Sequence, residues 1–181
     1  SRLQLGAKRC SLLPVAARPT MISTQRHLEF ATGYLELGMV TAAAEELEAI
    51  VGSDRLSDEV MGVRANLHLE AKQWDLLLAV ARELTRRCPA NEQGWVHAAY
   101  ALRELGRIAE AKAVLLEAAP LHGRRCAVLH YNLACYYCLL GEFTEAKREL
   151  SLACQMNAEW RQAALDDDDL KAMWTEIAAM G

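Results

Sequence analysis

Four residues around position 130 have the side-chain types of a metal or redox site. Cys135 and Cys138 form a Cys-x-x-Cys pair, and Cys126 and His130 precede it. A zinc site needs four converging ligands, but these positions do not share one helical face and no second such pair occurs. A redox pair normally begins a helix, where the dipole lowers the thiol pKa, whereas this pair falls inside a helical pattern. The spacing favours packed thiols, and a thiol- or metal-responsive regulator is the weaker alternative.

The acidic run Asp166–Asp169 is the second group that could hold a cation. A calcium loop alternates its ligands and needs a glycine and a distal glutamate, which this run lacks. Asp167 or Asp168 is well placed to cap the helix that follows, and the other carboxylates would then be solvated. We therefore expect capping plus solvation here, and no metal.

The histidines are dispersed along the chain, and the sequence has no nucleophile-elbow, P-loop or zinc-protease motif. Histidines that pack against a neighbouring helix, or hydrogen-bond to it, explain them better than a titratable switch does. We accordingly predict a protein that is not an enzyme and has no cofactor. The five histidines are His27, His68, His97, His122 and His130.

Composition indicates one all-α domain in a chain of 181 residues. Apolar residues make up 52% of the chain and aromatic residues only 6%, while alanine, leucine and glutamate, which favour helices, are abundant. No apolar run approaches the roughly 18–20 residues of a membrane span. The six cysteines fall mostly inside helical patterns, so we expect reduced thiols and a cytoplasmic protein.

Charge divides the chain into a basic start and an acidic remainder. Four of the 20 basic residues precede position 20 and no acidic residue precedes Glu29, so the remainder has 16 basic and 24 acidic side chains. An acidic body without a basic stripe argues against a nucleic-acid partner. Residues 1–23, with Pro14 and Pro19, are predicted to be a flexible basic segment or an added extension; an organelle-targeting segment is the open alternative.

A helical pattern repeats four times between residues 24 and 158. Its hinge positions, Gly38, Lys72, Gly106 and Gly141, are 34, 34 and 35 residues apart. Alanine occupies the position seven before every hinge, and a bulky apolar residue the position two after it. Small residues let paired helices approach closely, and a helical hairpin needs stacked neighbours to bury its apolar faces. The alanines are Ala31, Ala65, Ala99 and Ala134, and the bulky residues are Val40, Trp74, Ile108 and Phe143.

These repeats resemble tetratricopeptide repeats (TPRs), which pair two helices in a unit of about 34 residues. The segment from Gly94 to Ala118 fits the family pattern best, whereas Lys72 replaces a hinge glycine. The resemblance implies an all-α, right-handed α-solenoid of about four units with a C-terminal cap. We place the units at residues 24–57, 58–91, 92–126 and 127–160, and C-terminal capping helices at residues 159–181.

In this family the first helix of each unit lines a concave groove, which usually holds a peptide or a partner helix. The resemblance therefore implies a non-catalytic adaptor or scaffold that binds a peptide segment or a partner protein there. Asn66 and Asn132 would hydrogen-bond a peptide backbone, and Tyr100 would offer rigid aromatic surface. The predicted groove residues are Val63, Asn66, Glu70, His97, Tyr100, Arg103, Tyr131, Asn132 and Cys135.

One well-known subclass of the family clamps the C-terminal carboxylate of heat-shock chaperones with basic residues. Here Leu28, Gly62 and Val128 stand where lysines would be needed, so we do not expect that clamp. Glutamates such as Glu70 and Glu104 favour a partner that is basic or neutral where it meets them. A small secretion-type chaperone that holds an extended segment is the alternative to an adaptor.

The repeat pattern predicts that small residues at the start of each second helix are essential for packing. Replacing Ala111 or Ala146 with leucine should lower the free energy of unfolding by about 1–3 kcal/mol, because the added methyl groups overpack the helix contact. Chemical denaturation monitored by circular dichroism measures the change. Unfolding free energies equal to that of the unchanged protein would contradict the predicted register.

Overall fold

Ten α-helices follow one another along residues 22–179, the part of the chain that this computed structural model describes. They form four hairpin pairs and a C-terminal segment, and no strand occurs in this part. The predicted all-α solenoid is confirmed, whereas the first 21 residues of the predicted basic segment lie outside the described range. The helices are α1 (Thr24–Glu36), α2 (Val40–Ala49), α3 (Asp58–Glu70), α4 (Trp74–Arg87), α5 (Glu92–Glu104), α6 (Ile108–His122), α7 (Ala127–Leu139), α8 (Phe143–Met156), α9 (Glu159–Leu165) and α10 (Trp174–Ala179).

Each hairpin turns at a residue in the left-handed region of backbone space. Gly38, Gly106 and Gly141 have φ of 70°, 74° and 76°, and Lys72 occupies the same position with φ of 54°. In all four turns the N–H after the hinge residue donates to the carbonyl five residues earlier, at 2.8–2.9 Å. This bond is the one that ends a helix in a Schellman motif. The second unit therefore keeps the turn without glycine, at a cost of roughly 1–2 kcal/mol.

Side chains cap the first helices of three units. The Ser23, Ser57 and Asn91 side chains accept hydrogen bonds from backbone N–H groups in the first turns of α1, α3 and α5. These bonds satisfy amides that have no partner inside the helix. Serine and asparagine are among the residue types that favour this position, so the caps follow from the local sequence.

Two positions of every repeat are fully buried, and seven of the eight residues there are alanines. The alanine seven before each hinge is fully buried in every unit, and so is the residue five after each hinge. Backbones can approach closely only where the side chain between them is small, so these positions fix how the helices stack. The residues with 0% exposure are Ala31, Ala65, Ala99, Ala134, Ala43, Leu77, Ala111 and Ala146.

Two units replace an apolar contact between their helices with a polar pair. His27 Nδ1 lies 2.6 Å from Glu46 Oε2, and His130 Nδ1 lies 2.7 Å from Glu149 Oε2. The other ring nitrogen of His130 lies 2.7 Å from the Gly123 carbonyl oxygen. These histidines contact the neighbouring helix, as the sequence predicts. At the same repeat positions the second unit has Met61 and Val80, and the third has Trp95 and Val114.

The C-terminal segment folds back onto α7. It consists of α9, a 3₁₀ turn at Asp168–Met173 and α10, and it buries Leu170, Met173 and Ile177 almost completely. The Trp174 indole N–H donates to the carbonyl oxygens of Ala164 and Asp167, at 3.1 and 3.2 Å. In the region where capping helices are predicted, residues 159–165 and 174–179 are α-helical, and the 3₁₀ turn lies between them. Among the helices of residues 22–179, none is both long and apolar enough to cross a bilayer.

The contribution of the His130–Glu149 pair to stability can be tested by replacing it with methionine and valine, which the second unit has at the same repeat positions. His130→Met alone should lower the free energy of unfolding by about 1–3 kcal/mol, because it deprives the buried Glu149 carboxylate of a hydrogen-bond partner. The double change His130→Met with Glu149→Val should recover most of that loss, since apolar pairs often replace buried polar pairs at little cost. Urea denaturation of both variants measures the coupling. Additive losses would contradict this account.

Candidate functional site

A continuous groove lies between the first helices of the third and fourth units, α5 and α7. It consists of three adjoining depressions. The central one, of ≈ 570 Å³, is called the aromatic depression below, and the one next to the C-terminal segment, of ≈ 230 Å³, the acidic cavity. A third depression of ≈ 460 Å³ lies at the start of α5, beside Asn91 and Glu92. Val96, His97 and Val128 join it to the aromatic depression, because they line both.

Four aromatic side chains line the aromatic depression. Trp74 and Tyr100 meet edge to face with ring centroids 6.0 Å apart, and Tyr131 packs on Trp160 at 4.5 Å. Trp160 comes from α9, so the C-terminal segment forms part of the site. Such rings present large apolar surface with few rotatable bonds, which suits them to hold an apolar side chain of a ligand.

Polar groups at the aromatic depression are few. Glu70 and Lys72 line it, and Glu70 is exposed. Burial lowers the pKa of His97, so this histidine is neutral at pH 7. The amide of Asn132 can both donate and accept a hydrogen bond, as a peptide backbone requires.

The acidic cavity is formed where the C-terminal segment binds the groove. Arg103 Nε donates to Asp169 at 2.9 Å, and a second guanidinium nitrogen bonds the other carboxylate oxygen. The Tyr131 hydroxyl donates to Asp167 Oδ2 at 2.8 Å, and the Cys135 thiol lies 3.7 Å from the same oxygen. Asp167 also accepts from the Asp169 N–H at 2.9 Å. Two groove helices thus hold two carboxylates of the chain's own C-terminal segment.

Burial and charge shift the pKa values around this cavity. The hydrogen bonds to Asp169 raise the pKa of Arg103, and burial raises the pKa of Tyr131, with its bond to Asp167 adding to the effect. Burial and the nearby Asp167 charge raise the pKa of Cys135. The cysteine is therefore a protonated thiol at neutral pH, which is the opposite of an activated nucleophile.

The Tyr136 hydroxyl is the unusual group of the cavity. The side chain is only 2% exposed, and its oxygen has no hydrogen-bond partner among the described residues. Buried hydroxyl groups nearly always have a partner, because an unsatisfied one costs about 1–3 kcal/mol. Tyr136 lines the acidic cavity together with Asn132, Asp167 and Asp169, so this unsatisfied hydroxyl belongs to a residue of the cavity wall.

Ligand atoms of Cys135, Asp167 and Asp169 lie within 4.8 Å of one another, close enough to suggest a metal. The hydrogen bonds in the cluster argue against one. Arg103 already binds both oxygens of Asp169, so a metal ion would have to displace the guanidinium. Asp167 likewise already accepts from the Tyr131 hydroxyl and from the Asp169 N–H. We assign the cluster to the docking of the C-terminal segment.

The structure brings together most, but not all, of the predicted groove residues. Glu70, His97, Tyr100, Tyr131 and Asn132 line the aromatic depression, and Arg103 and Cys135 line the acidic cavity with three of these. Val63 and Asn66 of α3 line none of the three depressions. Sequence reasoning missed Trp160 and Tyr136, and it missed Asp167 and Asp169 as groove residues.

The expectation of solvation is wrong for Asp169, which Arg103 binds. Asp167 caps the turn as expected, but its side chain and that of Asp169 point to α5 and α7, whereas Asp166 and Asp168 are exposed. A usable signal was present in the predicted groove. Arg103 is a predicted groove residue whose charge a carboxylate from elsewhere in the chain can neutralise, and the acidic run supplies such carboxylates.

Comparisons with known proteins agree with this architecture. PilF of Pseudomonas aeruginosa has a similar structure, with a TM-score of 0.69, 17% identity, and coverage of 87% of this chain and 72% of that one. TTC0263, a thermophilic TPR protein from Thermus thermophilus, gives 0.66 at 20% identity, over 87% of this chain and 100% of that one. The protein has a TPR fold. No protein-family model matches the chain, and no curated protein does.

A third TPR structure extends the comparison. YrrB, described as a TPR protein with an unusual peptide-binding site, matches with a TM-score of 0.64 at 11% identity, over 85% of this chain and 77% of that one. At such identities the likeness concerns the fold, and side chains in the grooves are free to differ. In this protein successive first helices, α1 with α3, α3 with α5 and α5 with α7, contact one another, and the groove described above lies at the last of these contacts.

Removing the Arg103–Asp169 contact should loosen the C-terminal segment. Arg103→Gln should increase amide hydrogen exchange in residues 159–179 and lower the free energy of unfolding by about 1–2 kcal/mol, because a charge-assisted, partly exposed contact is lost. Hydrogen-exchange mass spectrometry measures the local effect.

Arg107→Gln is the matched control, because the Arg107 side chain is exposed and bonds Glu110 on the adjacent helix α6, at 2.6–2.7 Å, rather than the C-terminal segment. It should leave exchange in residues 159–179 unchanged. Equal exchange in both variants would show that Arg103 does not hold the segment.

Proposed function

We propose that this protein is a non-catalytic adaptor that binds a short peptide segment of a partner protein in the groove between α5 and α7. The observation that supports the proposal is the aromatic depression, which stays open although the C-terminal segment fills the adjoining part of the groove. Aromatic surface that faces solvent is unfavourable in water, so a depression lined by four aromatic rings points to a ligand that covers it.

The dimensions suit a short extended segment. The 13 residues of α5 rise about 20 Å, and an extended chain covers about 3.3 Å per residue, so the groove accommodates about six residues. Asn132 lines both the aromatic depression and the acidic cavity, where its amide can bond a peptide backbone in both directions. The structurally similar YrrB is described as having a peptide-binding site, which is consistent with peptide binding by this fold.

The titratable groups in the groove support binding rather than catalysis. Burial raises the pKa of Cys135 and of Cys138, and neither thiol has a basic partner among the described residues that would activate it. His97 is buried and neutral, and no carboxylate among the described residues orients its ring. A general base or nucleophile needs such a partner, so these residues do not form a catalytic arrangement.

Two asparagines on equivalent helices provide a matched test. Seven-residue peptides selected from a random library on the full chain should bind Asn132→Ala at least fivefold more weakly, because one or two backbone hydrogen bonds are lost. Asn66→Ala, which removes the same amide outside the depression, should leave their affinity unchanged. Fluorescence anisotropy measures both affinities.

A second variant addresses the aromatic surface. Tyr100→Ala should lower the affinity for the same peptides at least tenfold, since Tyr100 lines both the aromatic depression and the acidic cavity. Leu116→Ala, at an exposed position of α6 in the same unit, is the control for a general loss of stability. Peptides insensitive to Asn132 and Tyr100, or a library that yields no binder, would overturn the proposed function.

A further inference from the structure

The acidic cavity continues the aromatic depression. Tyr100, Tyr131 and Asn132 line both, so a segment lying in the depression reaches the cavity with its next side chains. The cavity measures ≈ 230 Å³, which suits the end of one side chain rather than a folded element. A ligand group that enters the cavity therefore lies close to the carboxylates of the C-terminal segment.

Charge in this cavity is negative. Asp167 and Asp169 contribute two carboxylates against the single guanidinium of Arg103, which also binds Glu104. The same negative charge acts on neighbouring groups, because Glu104 and Asp169 contribute, after burial, to the raised pKa of Tyr100. A carboxylate of a ligand would be repelled here, and a cation would be attracted.

Uncharged acceptors complete the cavity. Tyr136 lines this space and its buried hydroxyl has no partner among the described residues, while the Asn132 amide oxygen offers another acceptor. An ammonium group has three donors in a compact head, which matches carboxylate, hydroxyl and amide oxygens grouped around a small volume.

We propose that the acidic cavity is a subsite for a lysine side chain of the bound segment, next to an apolar side chain in the aromatic depression. The inference rests on the proposed function and names the chemistry of its ligand. Lysine is favoured over arginine because a planar guanidinium needs a carboxylate with both oxygens available, and Arg103 already binds both oxygens of Asp169. The lysine stem packs along Tyr100 and Tyr131.

The test uses the full chain and labelled six-residue peptides. In each peptide a lysine stands one, two or three residues before or after a leucine, in a background of alanine and serine. The tightest of them should bind at least tenfold better than the same peptide with Nε-acetyl-lysine, which keeps the length but removes the charge. A glutamate in place of the lysine should bind more weakly still, and 0.5 M NaCl should reduce the advantage of lysine.

The variant Tyr136→Phe tests whether the preference for lysine arises in the acidic cavity. This change removes only an unpartnered hydroxyl, so the protein should fold, and the lysine peptide should bind three- to tenfold more weakly. Affinity for the acetyl-lysine peptide should not change. Tyr137→Phe is the matched control at the next position, since Tyr137 lies outside the cavity lining and faces Lys112, whose Nζ is 4.9 Å from its ring centroid.

The outcomes separate the two proposals. If peptides bind the groove but acetyl-lysine or glutamate versions bind as well as lysine versions, the lysine subsite is wrong and the adaptor function stands. If lysine is preferred and Tyr136→Phe leaves that preference intact, the preference arises elsewhere and the subsite is also wrong. If neither these peptides nor library peptides bind in a way that depends on Tyr100, both proposals fail.

Discussion

Close approach of paired helices at fully buried small residues is the constraint on which the rest of the structure depends. The four alanines seven positions before each hinge have no exposed surface, and the residues five positions after each hinge have none either. Because the helices meet there at short distance, the opposite side of each first helix is left to face the groove. The left-handed hinge residues, Lys72 included, then set every second helix against its partner in the same way.

The C-terminal segment converts this regular array into an asymmetric site. Its 3₁₀ turn docks on α7, and the segment buries the side chains of Leu170, Met173 and Ile177, each of which contributes about 1.5–3 kcal/mol relative to exposure. Displacing it would expose all three, so the segment is a fixed part of the groove. Its carboxylates neutralise Arg103 and form the acidic cavity, while its Trp160 extends the aromatic depression. One segment thereby closes part of the groove and supplies surface to the rest.

Sequence alone predicts the local features well, because they follow from spacing along the chain. The repeat interval, the hinge turns and the caps at Ser57 and Asn91 depend on residues close in sequence. The docking of Asp169 on Arg103 joins residues 66 positions apart, and helical periodicity does not encode such a contact. For the same reason the sequence does not predict Trp160 in the groove. Asn66 is predicted there but does not line the aromatic depression, to which its unit contributes Leu69, Glu70, Lys72 and Trp74.

The four tryptophans allow the most direct test of the central claim, that a peptide occupies the aromatic depression while the C-terminal segment stays docked. Trp74 and Trp160 line the depression, whereas the indole N–H groups of Trp95 and Trp174 donate to backbone carbonyls inside the protein, at 2.9 and 3.1 Å. In a ¹⁵N–¹H NMR titration of the full chain with the tightest library peptide, the indole signals of Trp74 and Trp160 should shift and those of Trp95 and Trp174 should not. Shifts confined to Trp95, or a large shift of Trp174 with Trp74 unchanged, would contradict the account.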